Sequence, residues 1–439
     1  MYDSNHMINI FYFLYAKRKN SVALYNIKTL FRTSIWLKIC CALFVIWALQ
    51  ACLEPFSASV GDEASNLLVV DGLISNENTA YQVRLTRAVA NINEDITPET
   101  GANVIIEDDL GNMTAFTETE DGIYETNENN FIGVPGRTYT LQISTKNGRV
   151  YRSDACMMKP ATQIDSIYYV PGNHPDSVAE SYFTGLRVFI NGKVNAEDVE
   201  YLRWAYDEDW KFAIPFGYDE VPTPDGDWEK TISKKYCWKS EVSSEILIQN
   251  FGGQSQKNIE GKELFFVDSK NTDKLFQRYS VLIKQYSITK EEYEYWRKLE
   301  QTNPDVNNIF GEQPFTIQGN IKNEADPDEK VLGYFSVVSA ATRRLYIDYS
   351  EIRYLQLPVN DYYNSCGFDS LMVKDLNMSV YEIYENYILN DFYEYVLAFP
   401  ILHENPFIDK VIGLAVSTPQ CCDCTLQGEL NPPDFWEDE

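Results

Sequence analysis

The sequence predicts a mainly β protein: an N-terminal immunoglobulin- or transthyretin-like β-sandwich followed by a larger β-rich domain with one or two helices. Three observations lead there. From Leu67 onward, short apolar stretches alternate at period two, the mark of strands with one buried and one wet face. Gly, Asn and Asp punctuate those stretches where hairpins need positive φ. With 44% hydrophobic, 14% aromatic and 23% charged residues over 439 positions, the chain can bury a large core.

Ahead of the fold stands a targeting segment, residues 1–51. It holds six basic residues (Lys17, Arg18, Lys19, Lys28, Arg32 and Lys38) and one acid, Asp3. After Lys38 an apolar run from Ile39 to Leu49 leads into Leu49-Gln50-Ala51-Cys52, the layout of a secretory signal. The run is shorter than the ~20 residues of a membrane-spanning helix. Leu-x-Ala-Cys resembles a bacterial lipobox, in which Cys52 becomes the lipidated first residue. The long stretch before the run, with Phe11-Tyr12-Phe13, exceeds a normal basic n-region, so translation is expected to start downstream of Met1. Residues 52–65 read as a polar tether.

Residues 66–160 read as the sandwich. Leu67 to Ile74, Tyr81 to Leu85 and Asn103 to Glu107 are strand-like, and Tyr139, Leu141 and Ile143 alternate within Arg137 to Ser144. Asp109-Leu110-Gly111-Asn112, Glu120-Asp121-Gly122 and Lys146-Asn147-Gly148 supply hairpin turns, and Lys159-Pro160 closes the unit. Residues 161–439 form the second domain, with strands at Ile164 to Tyr169, Gly185 to Ile190, Tyr201 to Phe212, Glu245 to Gln249, Leu264 to Val267 and Arg278 to Tyr286. Thr289 with Glu292 three residues on is a capping box, and Tyr293, Trp296 and Leu299 recur at helical spacing until Asn303-Pro304. Strands resume at Leu332 to Ser339 and Arg344 to Tyr349. Between Met378 and Phe399 the aromatics Tyr381, Tyr384, Tyr387, Phe392, Tyr393 and Tyr395 fit helix and strand alike.

Six cysteines follow Cys52: Cys156, Cys237, Cys366, Cys421, Cys422 and Cys424. In an exported chain an even number favours disulfides, here linking the tail to the second domain. Cys421, Cys422 and Cys424 are too close to bond one another comfortably, so at least one reaches back to Cys237 or Cys366. The competing zinc reading lacks a second C-x-x-C and a nearby histidine.

The formal charge of −28 excludes direct nucleic-acid binding, and without residues 1–51 the balance is 31 basic to 64 acidic residues, or −33. G-x-S-x-G, Walker A, G-x-G-x-x-G and H-E-x-x-H spacings are absent, and no metal or cofactor is expected. His174 and His403 read as loop residues. Asp207-Glu208-Asp209 and Asp225-Gly226-Asp227 do not match a calcium loop and read as solvated acids. Aromatics crowd the stretch from Trp204 to Trp238. Trp204, Tyr206 and Trp210 share parity on one strand and read as core. Phe216, Tyr218 and Trp228 fall on an expected long acidic loop between Phe212 and Trp228, and are the candidate ligand or partner surface, for a glycan, a peptide or a protein.

Several stretches together resemble a known family. They are Cys52-Leu53-Glu54-Pro55-Phe56, Leu68 to Ile74, Gly136 to Leu141, Ile164 to Tyr169, Cys237-Trp238, Gly319-Asn320-Ile321, Leu332-Gly333-Tyr334-Phe335-Ser336, Cys421-Cys422-Asp423-Cys424 and Pro433-Asp434-Phe435-Trp436. In order and spacing these are similar to the Bacteroidota outer-membrane lipoproteins grouped as domain of unknown function four-two-four-nine, over residues 52 to 436. The resemblance implies a lipid-anchored protein of the outer membrane, at the cell surface, held there by its anchor alone. It implies a TonB-dependent outer-membrane receptor as partner, and carries over no catalytic residue. The leading expectation is a non-catalytic accessory or ligand-capture subunit of a nutrient-uptake system. The alternatives are a surface hydrolase of glycan or peptide, and an adhesin or outer-membrane assembly factor.

Overall fold

Period-two alternation becomes strand wherever one face can be buried, and the chain is mainly β, with several sheets and few helices. The computed structural model describes residues 66–89, 95–128, 131–173, 183–302, 317–358, 365–390, 395–408 and 410–437. The signal segment, Cys52, the tether, His174, Phe392 and Tyr393 lie outside them. All the described residues belong to one compact unit, Asp62–Val89 with Glu94–Glu439.

Leu68–Ile74 reads LVVDGLI and buries Leu68, Val70 and Ile74 completely, while Asp71 faces water. It pairs antiparallel with Gln82–Arg87 in the register Val70↔Leu85. In the opposing sheet, Asn103–Asp108 pairs with Thr138–Ser144, which pairs in turn with Val150–Ser153. Two six-stranded sheets result. They share one core, to which one contributes Leu68, Val83, Leu85 and Phe335 and the other Val104, Leu141, Ile143 and Tyr151.

Two of the sandwich strands come from far along the chain, beyond the linear boundary at residue 160. Leu332–Val337 lies parallel to Leu68–Ile74, and Ile321–Asn323 lies antiparallel to Val150–Ser153. A parallel partner needs a long crossover and no tight turn, so it leaves no hairpin signal in the sequence. Close approach is met by glycine. At Gly333, with φ +85°, a Cβ would sit 2.0 Å from the Val70 carbonyl oxygen, and at Gly319 it would sit 1.7 Å from the Gly333 carbonyl oxygen. Between them the buried Asn320 side chain donates to Phe335 O and accepts from Phe335 N, both at 2.9 Å, standing in for a missing ladder rung.

The second region is organised by Tyr201–Ala213, which buries Leu202, Trp204, Tyr206, Trp210 and Phe212 along one face. It pairs on one side with Arg278–Ile288 and on the other with Tyr236–Val242 and Leu247–Asn250. A three-stranded sheet of Gln163–Gly172, Gly185–Lys193 and Asn258–Asp268 adds Val188, Ile190 and Val267 to the same core. Trp204, Tyr206 and Trp210 are core residues, as their parity predicts. The buried indoles keep hydrogen bonds: Trp204 Nε1 donates to Gln285 Oε1 at 2.8 Å, and Trp210 Nε1 to Asp273 Oδ1 at 2.8 Å.

Helix Lys290–Thr302 starts where the sequence reading places it, and the expected stop at Asn303-Pro304 lies outside the described residues. Its cap is only half of the expected box. Glu292 N donates to Thr289 Oγ1 at 3.2 Å, but the Glu292 carboxylate turns inward, accepting from Ser336 Oγ at 2.8 Å and Trp296 Nε1 at 3.2 Å. The stretch from Met378 to Phe399 divides into a helical turn, Val380–Ile383, capped by Ser379 and Glu382, and a strand, Val396–Leu402. Two disulfides, Cys237–Cys424 and Cys366–Cys421, tie this tail to the second region and to itself. Cys156 and Cys422 are free thiols. Among the described residues no helix is long and apolar enough to cross a membrane.

Candidate functional site

The sandwich and the second region meet at a cleft of about 530 Å³. The strand Cys156–Met157 forms one wall. Glu200 and Tyr201, at the start of the central strand, and Thr289 to Glu291, at the start of the helix, form another. Tyr201 pairs with Ile288, so these two segments leave adjacent strands at the same end of the sheet. Asn320 and Tyr334 close the bottom, held there by the glycine-permitted approach of their strands. Ile288 and Tyr334 are buried, whereas Lys290, Glu291 and Met157 stand exposed at the mouth.

The charges of the cleft are unevenly matched. Asp198 lies 3.8 Å from Lys159, and Asp154 lies 2.8 Å from Lys322. Glu200, Lys290 and Glu291 make no ion pair among the described residues. Burial, with the nearby carboxylates of Glu292, Asp154 and Glu291, pushes the Cys156 thiol up to about 12, against the hydrogen bond that Asn320 Nδ2 donates to its sulfur at 3.3 Å. A thiol so raised stays protonated at neutral pH and is a poor nucleophile. Burial does the same to Cys422, pushed up to about 11. Behind the cleft wall, burial raises the Glu292 carboxyl above the ordinary glutamate range, and the Arg203 charge only partly offsets it. The Arg203 guanidinium lies over the rings of Tyr286 and Trp296, at 4.8 and 4.5 Å.

The candidate surface of Phe216, Tyr218 and Trp228 lies elsewhere, against the tail. Phe216 meets Phe368 and Phe399, each at 5.9 Å between ring centroids. Tyr218 and Trp228 meet edge to face at 5.9 Å and pack around Ile383, Leu397 and Leu414. All three are half-buried. In place of a long loop, Glu220–Pro222 and Trp228–Lys230 form a short hairpin. These aromatics are packing contacts for the tail, and exposed only in part.

The acid triplet is paired rather than solvated. Asp207 meets Lys284 at 2.5 Å, and Asp209 meets Arg344 at 3.2 Å. Glu208 meets Lys274 and the Tyr279 hydroxyl, both at 2.6 Å, and Glu208 and Asp209 are buried. The cations stand on other segments, out of reach of local sequence pattern. Among the described residues no group of three or more metal-ligating side chains converges. His403 Nδ1 accepts from Asn405 N at 3.1 Å in the turn of a hairpin.

Sequence reasoning did not single out the cleft. Its residues come from five separated stretches, around Cys156, Glu200, Thr289, Asn320 and Tyr334, each of which reads locally as part of a strand, a helix start or a loop. The available signals were Gly319-Asn320-Ile321 and Leu332-Gly333-Tyr334, where two glycines mark a close backbone approach. No curated protein matches the chain. A family model does match, over residues 53–344, a span that ends before Cys366, Cys421 and Cys424 but includes every wall of the cleft. The chain therefore belongs to the family described as Domain of unknown function (DUF4249).

Proposed function

We propose that the protein is a lipid-anchored envelope protein, serving at a Bacteroidota outer membrane as a non-catalytic ligand-capture or accessory subunit of a TonB-dependent nutrient-uptake system. The observation that carries the capture reading is the cleft, which has room for a small ligand and whose one thiol is held protonated. Export is supported by the lipobox-like Leu49-Gln50-Ala51-Cys52 and by a tail bridged through disulfides, which persist in oxidising compartments. The receptor partner rests on the family resemblance.

Purification from detergent-solubilised outer membranes tests the whole reading. A receptor-type barrel should copurify, and labelled fatty acid should appear in the native protein and vanish in Cys52→Ala. Recovery without a barrel, or label retained in Cys52→Ala, counts against it, and turnover of a glycan or peptide panel would replace capture with hydrolysis.

A further inference from the structure

The cleft also indicates what it holds. Glu200 and Glu291 are its two carboxylates without an ionic partner, and they stand beside Met157, Tyr201, Ile288 and Tyr334. A charge beside such a surface is less screened than one in open water. The chain's net charge of −28 adds a long-range field that gathers cations and repels anions. Resting on the ligand-capture reading, we propose that the cleft takes a small ligand bearing a primary ammonium on an apolar or aromatic body, such as the free amino end of a short peptide. Glu200 and Glu291 receive the ammonium, while the aromatic and aliphatic side chains cover the body. Lys290, exposed at the mouth, reaches an acceptor on the ligand's far end.

Two probes differing only in that charge provide the test: tyrosyl-leucinamide, with one ammonium, and its N-acetylated form, with none. Calorimetric titration of the detergent-solubilised full-length protein should show the free amine binding about tenfold tighter or more, a difference of about 1.4 kcal/mol. The preference should weaken with salt. In the double variant Glu200→Gln/Glu291→Gln it should fall to within about twofold, with the melting temperature only slightly lowered, because neither carboxylate has an ionic partner to lose and Glu291 gives up only its favourable place in the first turn of the helix. Equal binding of the two probes, no binding of the amine at millimolar concentration, or a preference surviving in the double variant each overturns the proposal. Receptor copurification is scored separately: a barrel that still copurifies while the amine fails leaves the capture reading standing and removes only the ligand class.

Discussion

The sandwich and the disulfide-linked tail solve the same problem by opposite means. In the sandwich, strands from residues 68–157 and 321–337 enclose one continuous core with Leu68, Val83, Leu85, Ile143 and Phe335 fully buried, and no disulfide is needed. In the tail, a three-stranded sheet and short helical turns enclose two small clusters, around Ala398 and Ala415 and around Ile383 and Leu414. One crosslink, Cys237–Cys424, holds that part to the second region, and the other, Cys366–Cys421, closes it on itself. Distant segments can be held by hydrophobic burial and backbone pairing when the shared core is large. When the elements are too short to share one, covalent closure of long loops takes over.

The largest effect that could break this comparison is a cavity in the sandwich. Phe335 is fully buried at its junction strand, so Phe335→Ala should cost about 3 to 5 kcal/mol and lower the whole unfolding transition. Denaturant melts followed by circular dichroism would check it. A loss under about 1 kcal/mol would mean that the borrowed strand contributes little to the core.

Next comes the covalent side. The bridges span 187 and 55 residues of sequence, and opening either should cost roughly 2 to 4 kcal/mol. Reduction should speed hydrogen exchange in residues 366–437 while leaving amides of Leu68–Ile74 protected. Thiol titration of the denatured, unreduced protein should find Cys156 and Cys422 reactive and Cys237, Cys366, Cys421 and Cys424 silent. Uniform loss of protection across the chain would erase the distinction between the two regions.

A smaller effect is expected where the second region receives the tail. Phe216→Ala, Tyr218→Ala and Trp228→Ala remove half-buried rings, so each should cost about 1 to 3 kcal/mol, less than a full core deletion. Thermal melts of the three variants with the disulfides intact and reduced sharpen the point. If the rings anchor the tail, the penalty grows on reduction; unchanged melting in both states would return these residues to solvent.

Much of this was legible in the sequence and some was not, for definite reasons. LVVDGLI and TYTLQIS announce strands because burial alternates residue by residue, and Thr289 with Glu292 announces the start of the only long helix among the described residues. The crowding of Cys421, Cys422 and Cys424 foretold that at least one of them reaches back to Cys237 or Cys366, and the structure bridges Cys424 to Cys237 and Cys421 to Cys366. The joining of Leu332–Val337 to the first strand left no local trace, because parallel pairing needs no turn between partners. Ser379 with Glu382 three residues on was a readable helix start, masked by the aromatics around it. The partners of Asp207, Glu208 and Asp209 were invisible for a different reason: Lys284, Lys274 and Arg344 reach them from other segments.

The finest test of the comparison lies at Glu292, where helix Lys290–Thr302 is fastened to the sandwich through Ser336. Desolvation raises its carboxyl above the ordinary value, with Arg203, Ser336 and Trp296 opposing the rise. For a group whose folded pKa is raised, the stabilising contribution is fully present below the unfolded pKa, about 4.3 for glutamate, and is lost as pH climbs through the folded value. Glu292→Gln keeps an acceptor for Ser336 Oγ and Trp296 Nε1 but carries no titrating proton. Wild type minus variant stability should therefore decline as pH rises from about 4.3 through the raised value, then level off. Arg203 retains its ring contacts with Tyr286 and Trp296 in the variant, so the slope isolates the buried charge. Urea melts at closely spaced pH would read it. A difference that instead grows with pH would mean that the attraction of Arg203, on the central strand Tyr201–Ala213, outweighs desolvation, and that an ion pair fastens the helix to the second region while the Ser336 hydrogen bond fastens it to the sandwich.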